Sequence, residues 1–244
     1  MSELDELKRV ASQGNPEAQY KLGNRYYWGE EDTAKNFAEA VLWYTKAAEQ
    51  GHVKAQCDLG CCYDSGEGVR QDFAKAIYWY TKAAEQGHAK SQHNLASSYR
   101  MGEGVGQDSA KAIYWYTKAA EQGYTRAQCD LGCCYEFGIG VVKNFVEAAR
   151  WYLKAAEQGA AGAQFNIGTL YDRGDGVMQD SVKAVFWYTK AAEQGDADAQ
   201  NNLGLCYLRG RGVAKDSTQA KKWLTKAAEQ GYAKAQEALR SGLL

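Results

Sequence analysis

Proline occurs once in 244 residues, at Pro16, and histidine only at His52, His88 and His93. Alanine, leucine, lysine, glutamate and glutamine fill the spaces between 26 glycines, which is a helical composition punctuated by glycine. There is no S-x-x-K and no H-E-x-x-H, so the motifs of serine β-lactam hydrolases and of zinc peptidases are missing. His52 and His88 follow a turn glycine where other copies of the same stretch carry tyrosine, alanine or aspartate, and read as incidental. An excess of one charge is also missing: 29 basic against 30 acidic residues give a net charge of −1. Such a chain has no basic field to hold phosphate backbones, which argues against nucleic acid. No apolar run approaches the roughly 20 residues of a membrane-spanning helix, so no membrane insertion is expected. The opening MSELDELKRVASQG is charged and lacks the apolar core of a secretory signal, so a cytoplasmic location is expected, with secretion requiring a leader ahead of it. The seven cysteines are odd in number, and six fall as Cys57, Cys61, Cys62 and again as Cys129, Cys133, Cys134. One pattern repeated is not a disulfide ladder, and it suits a reducing compartment.

What the chain does have is one sentence written many times. WYTKAAEQG opens at Trp43, Trp79, Trp115 and Trp187, with WYLKAAEQG at Trp151 and WLTKAAEQG at Trp223. The closing glycines Gly51, Gly87, Gly123, Gly159, Gly195 and Gly231 stand 36 residues apart. Gly14 precedes Gly51 by 37, the extra residue falling in the WGEEDTAKN loop. A fixed period of this size marks an array of one supersecondary unit.

Residues 53–87 show the unit. Ala55, Leu59 and Tyr63 at steps of four, with Cys62, give a first helix one apolar face. Gly60 inside it costs about 1 kcal/mol against alanine, so a close helix approach is the expected reason for it. A G-x-G-V loop follows, at Gly66 and again at Gly102, Gly138, Gly174 and Gly210. Its first glycine suits a left-handed cap and its valine a plug beneath the loop. The loop follows a helix, and it lacks the trailing lysine of a phosphate loop. Asn36, Asp72, Asp108, Asn144, Asp180 and Asp216 stand at N-cap positions of the second helices. Ala76, Tyr80, Ala83 and Ala84 form the face of a second helix that lies close to the first. The repeated tryptophans and tyrosines therefore read as packing residues.

The run AQCDLGCCYDSGEGVRQD followed by AKAIYWYTKAAEQG closely resembles the Sel-one-like repeat (SLR) family, a relative of the tetratricopeptide repeat. The likeness covers about residues 16–240. It implies an all-α, right-handed α/α superhelical solenoid of six 36-residue helix-loop-helix repeats. The expected organisation is an N-terminal capping helix in 1–15, six repeats in 16–232 and a C-terminal capping helix in 233–244. It implies a non-catalytic scaffold or adaptor that binds a protein or peptide segment on its concave face, with neither cofactor nor metal. A second reading is a dedicated inhibitor or immunity-type partner of one globular protein. A third is β-lactam binding or weak hydrolysis, a property linked to a cysteine-rich branch of the family. That branch pairs a first-helix cysteine, matched by Cys57 and Cys129, with a second-helix cysteine. Alanine stands at the second place throughout this chain, as at Ala83, so the disulfide does not carry over.

Positions that differ between repeats are free to carry function. In tetratricopeptide-like stacks the first helices line the concave face. The second residue after each A-Q is mostly short and polar: Asp58, Asn94, Asp130, Asn166, Asn202. At about 8–10 Å between packed helices such a row is placed to bond an extended peptide backbone. Arg100, Arg173 and Arg209 suit carboxylates or a phosphorylated side chain. Phe137 and Phe165 are expected as exposed groove aromatics, and Tyr27 and Trp28 as anchors or as a cover for the N-terminal end. Cys57 and Cys61 lie one helical turn apart with His93 on the adjoining repeat, an arrangement of soft ligands. Three ligands at no known spacing fall short of a metal site, and half-buried structural cysteine explains them more simply.

Overall fold

The computed structural model describes residues 2–30 and 32–240. Fourteen helices and no strand occur among the described residues, with one isolated bridge between Glu30 and Thr33. The chain divides into two compact units, the boundary falling between Tyr124 and Thr125. The first unit holds α1 (Glu3–Ser12), α2 (Pro16–Trp28), α3 (Phe37–Glu49), α4 (Val53–Ser65), α5 (Phe73–Glu85), α6 (Ala89–Met101) and α7 (Ser109–Glu121). The second holds α8 (Thr125–Phe137), α9 (Phe145–Glu157), α10 (Ala161–Arg173), α11 (Ser181–Glu193), α12 (Ala197–Arg209), α13 (Ser217–Glu229) and α14 (Ala233–Arg240). Within each unit a helix packs on its predecessor and its successor in the chain, as a repeat array requires.

Local chemistry sets the helix ends. Asn36, Asp72, Asp108, Asn144, Asp180 and Asp216 all have extended backbones, and their side chains accept from amides in the first turn of α3, α5, α7, α9, α11 and α13. Gly66, Gly102, Gly174 and Gly210 end first helices in the left-handed conformation. The valine of the G-x-G-V loop is a partly buried plug: Val69, Val177 and Val213 each pack on a core cluster. The second glycine of the loop has a purpose the sequence does not announce. At Gly68 an added Cβ would lie 2.2 Å from the carbonyl oxygen of Phe37. The loop of one repeat thus rests directly on the start of the preceding second helix.

The core repeats as faithfully as the letters. Tyr44, Tyr80, Tyr116, Tyr152 and Tyr188 are fully buried, beside alanines such as Ala76, Ala83 and Ala84. The mid-helix glycine receives the tyrosine ring: a Cβ at Gly60 would fall 2.7 Å from Tyr80. Leu59 is wholly buried, and a leucine so placed contributes about 1.5–3 kcal/mol of apolar transfer.

Hairpins are also joined by glutamine. The A-Q glutamines Gln56, Gln164 and Gln200 are buried, as is Gln92 of the equivalent S-Q. Each donates from Nε2 at 3.1 Å to a carbonyl at the end of the preceding second helix. Each Oε1 accepts, at 2.7–2.8 Å, from the glutamine of the next E-Q-G, namely Gln86, Gln122, Gln194 and Gln230. Both recurrent glutamines are therefore halves of one bond.

Candidate functional site

In the first unit the first helices α2, α4 and α6 enclose a cavity of about 510 Å³. It is lined by Tyr20, Asn24, Tyr27 and Trp28 from α2, Lys54, Asp58 and Cys61 from α4, Lys90 from α6, His88 just before α6, and Tyr44 from α3. Only Tyr44 belongs to the repeated tyrosine series. Every other lining residue occupies a position that changes from one repeat to the next.

Hydrogen bonds draw the three first helices together. The Tyr20 hydroxyl donates to Asp58 Oδ2 at 3.1 Å, and Lys90 Nζ donates to Asp58 Oδ1 at 3.3 Å. Tyr27 donates to Glu67 Oε2 at 2.5 Å and Tyr44 to Asn24 Oδ1 at 2.7 Å. Burial, and for Tyr27 chiefly the bond to Glu67, raises all three tyrosines above the ordinary phenol range, so they stand as neutral donors. Trp28 meets Tyr27 edge-on at 4.9 Å between centroids and is 71% exposed, an aromatic surface at the cavity mouth. His52 and His88 are not incidental. His52 Nδ1 accepts from the Ala55 amide at 3.1 Å, capping α4, and its ring stacks on Tyr20 at 4.6 Å. His88 Nδ1 lies 2.9 Å from Ser91 Oγ, and burial holds its pKa below the ordinary 6.5.

Cys61 lies on the cavity wall with Cys57 buried behind it. A hydrogen bond with Cys57, then Tyr80 and the charge of Lys90, lower the Cys61 thiol against the effect of burial. Cys57 moves the opposite way, strongly upward. Burial pulls Lys90 down, but the sulfurs of Cys61 and Cys57 and the Asp58 carboxylate outweigh it, and the ammonium is stabilised. The donor atoms of Cys57, Asp58 and Cys61 lie within 4.8 Å of one another. Lys90 already supplies a positive charge there, bonded to Asp58. His93 turns to the rings of Tyr116 and Tyr124, at 5.5 and 5.3 Å.

The other expected site residues scatter in their roles. Asp58 and Asn94 are half-buried, but both already bond to side chains of their own unit: Asn94 Nδ2 lies 3.7 Å from Cys61 Sγ, and its Oδ1 lies 3.3 Å from His93 Nδ1. The polar row of this unit is thus partly spent on joining helices. Arg100 Nε donates to the Tyr116 hydroxyl at 3.2 Å, so this arginine is half-buried against its own repeat. In the second unit Asp130 and Asn166 are half-buried, Arg173 is exposed and Phe137 is 65% exposed. Phe165 corrects its expectation: it is half-buried, packing on Tyr188 at 6.0 Å and on the α11–α12 core, because a ring at this position reaches the neighbouring tyrosine. Asn202 and Arg209 line a smaller recess of about 110 Å³ with Asp172 and Arg211. Arg211, which the sequence did not single out, pairs with Asp172 at 3.1 Å. The sequence reading also passed over Tyr20, Asn24, Lys54, His88 and Lys90 as site residues. Tyr20 and Asn24 stand at positions that vary between repeats, whereas Lys90 repeats Lys54 and His88 repeats His52, so the letters alone did not mark them.

A family model described as Sel1 repeat matches residues 16–52, 53–88, 89–124, 125–159, 161–196 and 197–232. The chain belongs to the Sel1 repeat family. Sel1 repeats are protein-interaction scaffolds. Among solved structures, this Sel1 repeat chain is similar to a protective antigen of uropathogenic Escherichia coli strains that displays an SLR fold, at 42% identity and a TM-score of 0.93. That match covers 97% of this chain and 50% of the other, so the chain spans half that protein's length. A Sel1 repeat protein from Oxalobacter formigenes is similar at 36% identity and a TM-score of 0.77, covering 88% of this chain and 86% of the other. An immunity protein from Pseudomonas aeruginosa shares the fold at 23% identity and a TM-score of 0.51, over 88% of this chain and 81% of the other. A search of curated proteins finds no match. No helix among the described residues is long and apolar enough to cross a membrane.

Proposed function

We propose that the chain is a non-catalytic scaffold that binds a segment of another protein on the face formed by its first helices. One observation carries this reading. The positions constant across repeats are consumed by packing and capping, while the cavity among α2, α4 and α6 is lined, apart from Tyr44, by positions that vary. A wall that varies where the scaffold does not is built for recognition. Trp28 offers a large exposed ring, and Asn24, Asp58, Lys54 and Lys90 supply donors and acceptors around it. An aromatic anchor ringed by polar groups is the arrangement that gives a peptide both affinity and register.

The test places a photo-crosslinking residue at Trp28, and separately at Tyr78 on a second helix, in cells of the source organism. The proposal expects one protein captured from position 28 and not from position 78. It also expects capture at position 28 to be competed by the purified protein and not by a folded D58A/K90A variant. Capture from position 78 alone would move the interface to the second helices, as a globular partner gripping the outer face would require. Colour development with nitrocefin that survives repurification and disappears in a cavity variant would overturn the non-catalytic reading.

A further inference from the structure

We propose that Cys61 is a thiol-exchange site, a nucleophilic cysteine that attacks small-molecule disulfides and carries the mixed disulfide within the α2–α4–α6 cavity. The assignment goes beyond the scaffold reading and does not depend on it. The geometry is that of an anion site built around sulfur. Cys57, one turn earlier and itself buried, holds its sulfur within 4.8 Å of that of Cys61. The Tyr80 hydroxyl, from α5, stands between this sulfur and Asp64, to whose Oδ2 it donates at 3.4 Å. Asn94 Nδ2 approaches it from α6 at 3.7 Å, and Lys90 adds a full positive charge from the same helix. Cys61 is half-buried, so these groups are poorly screened by water, yet it lines an open cavity of about 510 Å³ that a reagent can enter. Two carboxylates oppose the anion, Asp58 and, beyond the Tyr80 hydroxyl, Asp64. Asp58 raises the thiol, but its carboxylate is held by Lys90 at 3.3 Å and by the Tyr20 hydroxyl. Tyr27 and Tyr44 also face the cavity as neutral phenols, and the buried His88 ring is pushed toward its neutral form.

The chain carries its own control. Cys129 and Cys133 repeat the pattern two units on, but Gly162 stands where Lys90 does. The Tyr152 hydroxyl donates to Glu136 at 2.7 Å as that of Tyr80 does to Asp64 at 3.4 Å, so both clusters have a carboxylate there and the missing lysine is the difference. Burial raises Cys62 to about 12 and Cys206 to about 11, which leaves them inert. Thiols exchange fastest when their pKa lies near the ambient pH, and the Lys90 charge beside Cys61 moves this thiol in that direction. In the step itself the Cys61 thiolate attacks one sulfur of the disulfide. The old S–S bond breaks, a new one forms to Cys61, and the other half leaves as a thiolate that takes a proton from water. The reagent disulfide is the oxidant. Lys54 and Lys90 on the wall favour one that carries carboxylates, such as glutathione disulfide.

The experiment treats the reduced, folded protein with glutathione disulfide and with 4,4′-dithiodipyridine between pH 5.5 and 9.5, and follows each cysteine by peptide mass spectrometry. Cys61 should react first, roughly five- to tenfold faster than Cys133 at pH 7. Its rate should level off at a lower pH than that of Cys62 or Cys206. Lys90→Met should slow Cys61 at neutral pH and move its profile upward while leaving Cys133 unchanged, and Lys90→Arg should keep the fast reaction. Far-ultraviolet circular dichroism checks that both variants fold. Equal rates at Cys61 and Cys133, a Cys61 profile unmoved by Lys90→Met, or reaction only under unfolding urea would each overturn the proposal.

Discussion

Gln164 shows how much of this array rests on single polar side chains. It is 3% exposed, donates to the Ala156 carbonyl at 3.1 Å and accepts from Gln194 at 2.8 Å. Leucine there fills the space but leaves a helix-end carbonyl and an amide facing apolar groups. Each such unsatisfied group costs about 1–3 kcal/mol. Gln164→Leu should therefore lower the urea midpoint well below that of Gln179→Leu, whose side chain is exposed and bonds only to the Asp172 carbonyl. Equal midpoints would show that the buried pair adds nothing. Both glutamines were legible as recurrent letters. Their bond was not, because its halves lie 30 residues apart and no local rule joins an A-Q to the next E-Q-G.

At the scale of helices and loops, what the sequence made legible was whatever the backbone decides locally. N-caps, left-handed C-caps and the apolar faces all follow from residues within one turn of each other, and each is present. The two glycines of G-x-G-V look alike in sequence, but they differ in what surrounds them. A Cβ on Gly66 meets Gln71 at 3.4 Å, ordinary contact, so alanine there should cost about 1–2 kcal/mol for the left-handed backbone alone. A Cβ on Gly68 would overlap the Phe37 backbone at 2.2–2.3 Å, and Phe37 opens α3 and cannot move without it. Overpacking of this kind adds about 1–3 kcal/mol. Gly68→Ala should thus be clearly less stable to urea than Gly66→Ala. The reverse order would mean that the loop does not bear on the preceding helix.

For the whole molecule the division between legible and hidden follows sequence distance. The repeat and its helices were readable because each unit carries its own instructions. The cavity was only half readable: Tyr27, Trp28 and Asp58 were picked out as irregular letters, but Tyr20, Asp58 and Lys90 meet across three repeats. Phe165 was misjudged because its burial depends on Tyr188, on the second helix of its own repeat. The same one-dimensional logic governs stability. Helices such as α4 and α10 are held from both sides, whereas α1 packs chiefly on α2 and α14 chiefly on α13. In such arrays opening free energy is a sum of repeat and neighbour terms, so a helix with one neighbour opens at a fraction of the cost. Amide hydrogen exchange should therefore release α1 and α14 first, with α4 and α10 far slower. The Ser2 cap on α1, though complete, should not rescue that helix, because a cap adds only about 1 kcal/mol against a missing interface. Protection of α1 or α14 equal to that of α4 would mean that the end helices are held by more than their single neighbour, and the nearest-neighbour account of the array would fail.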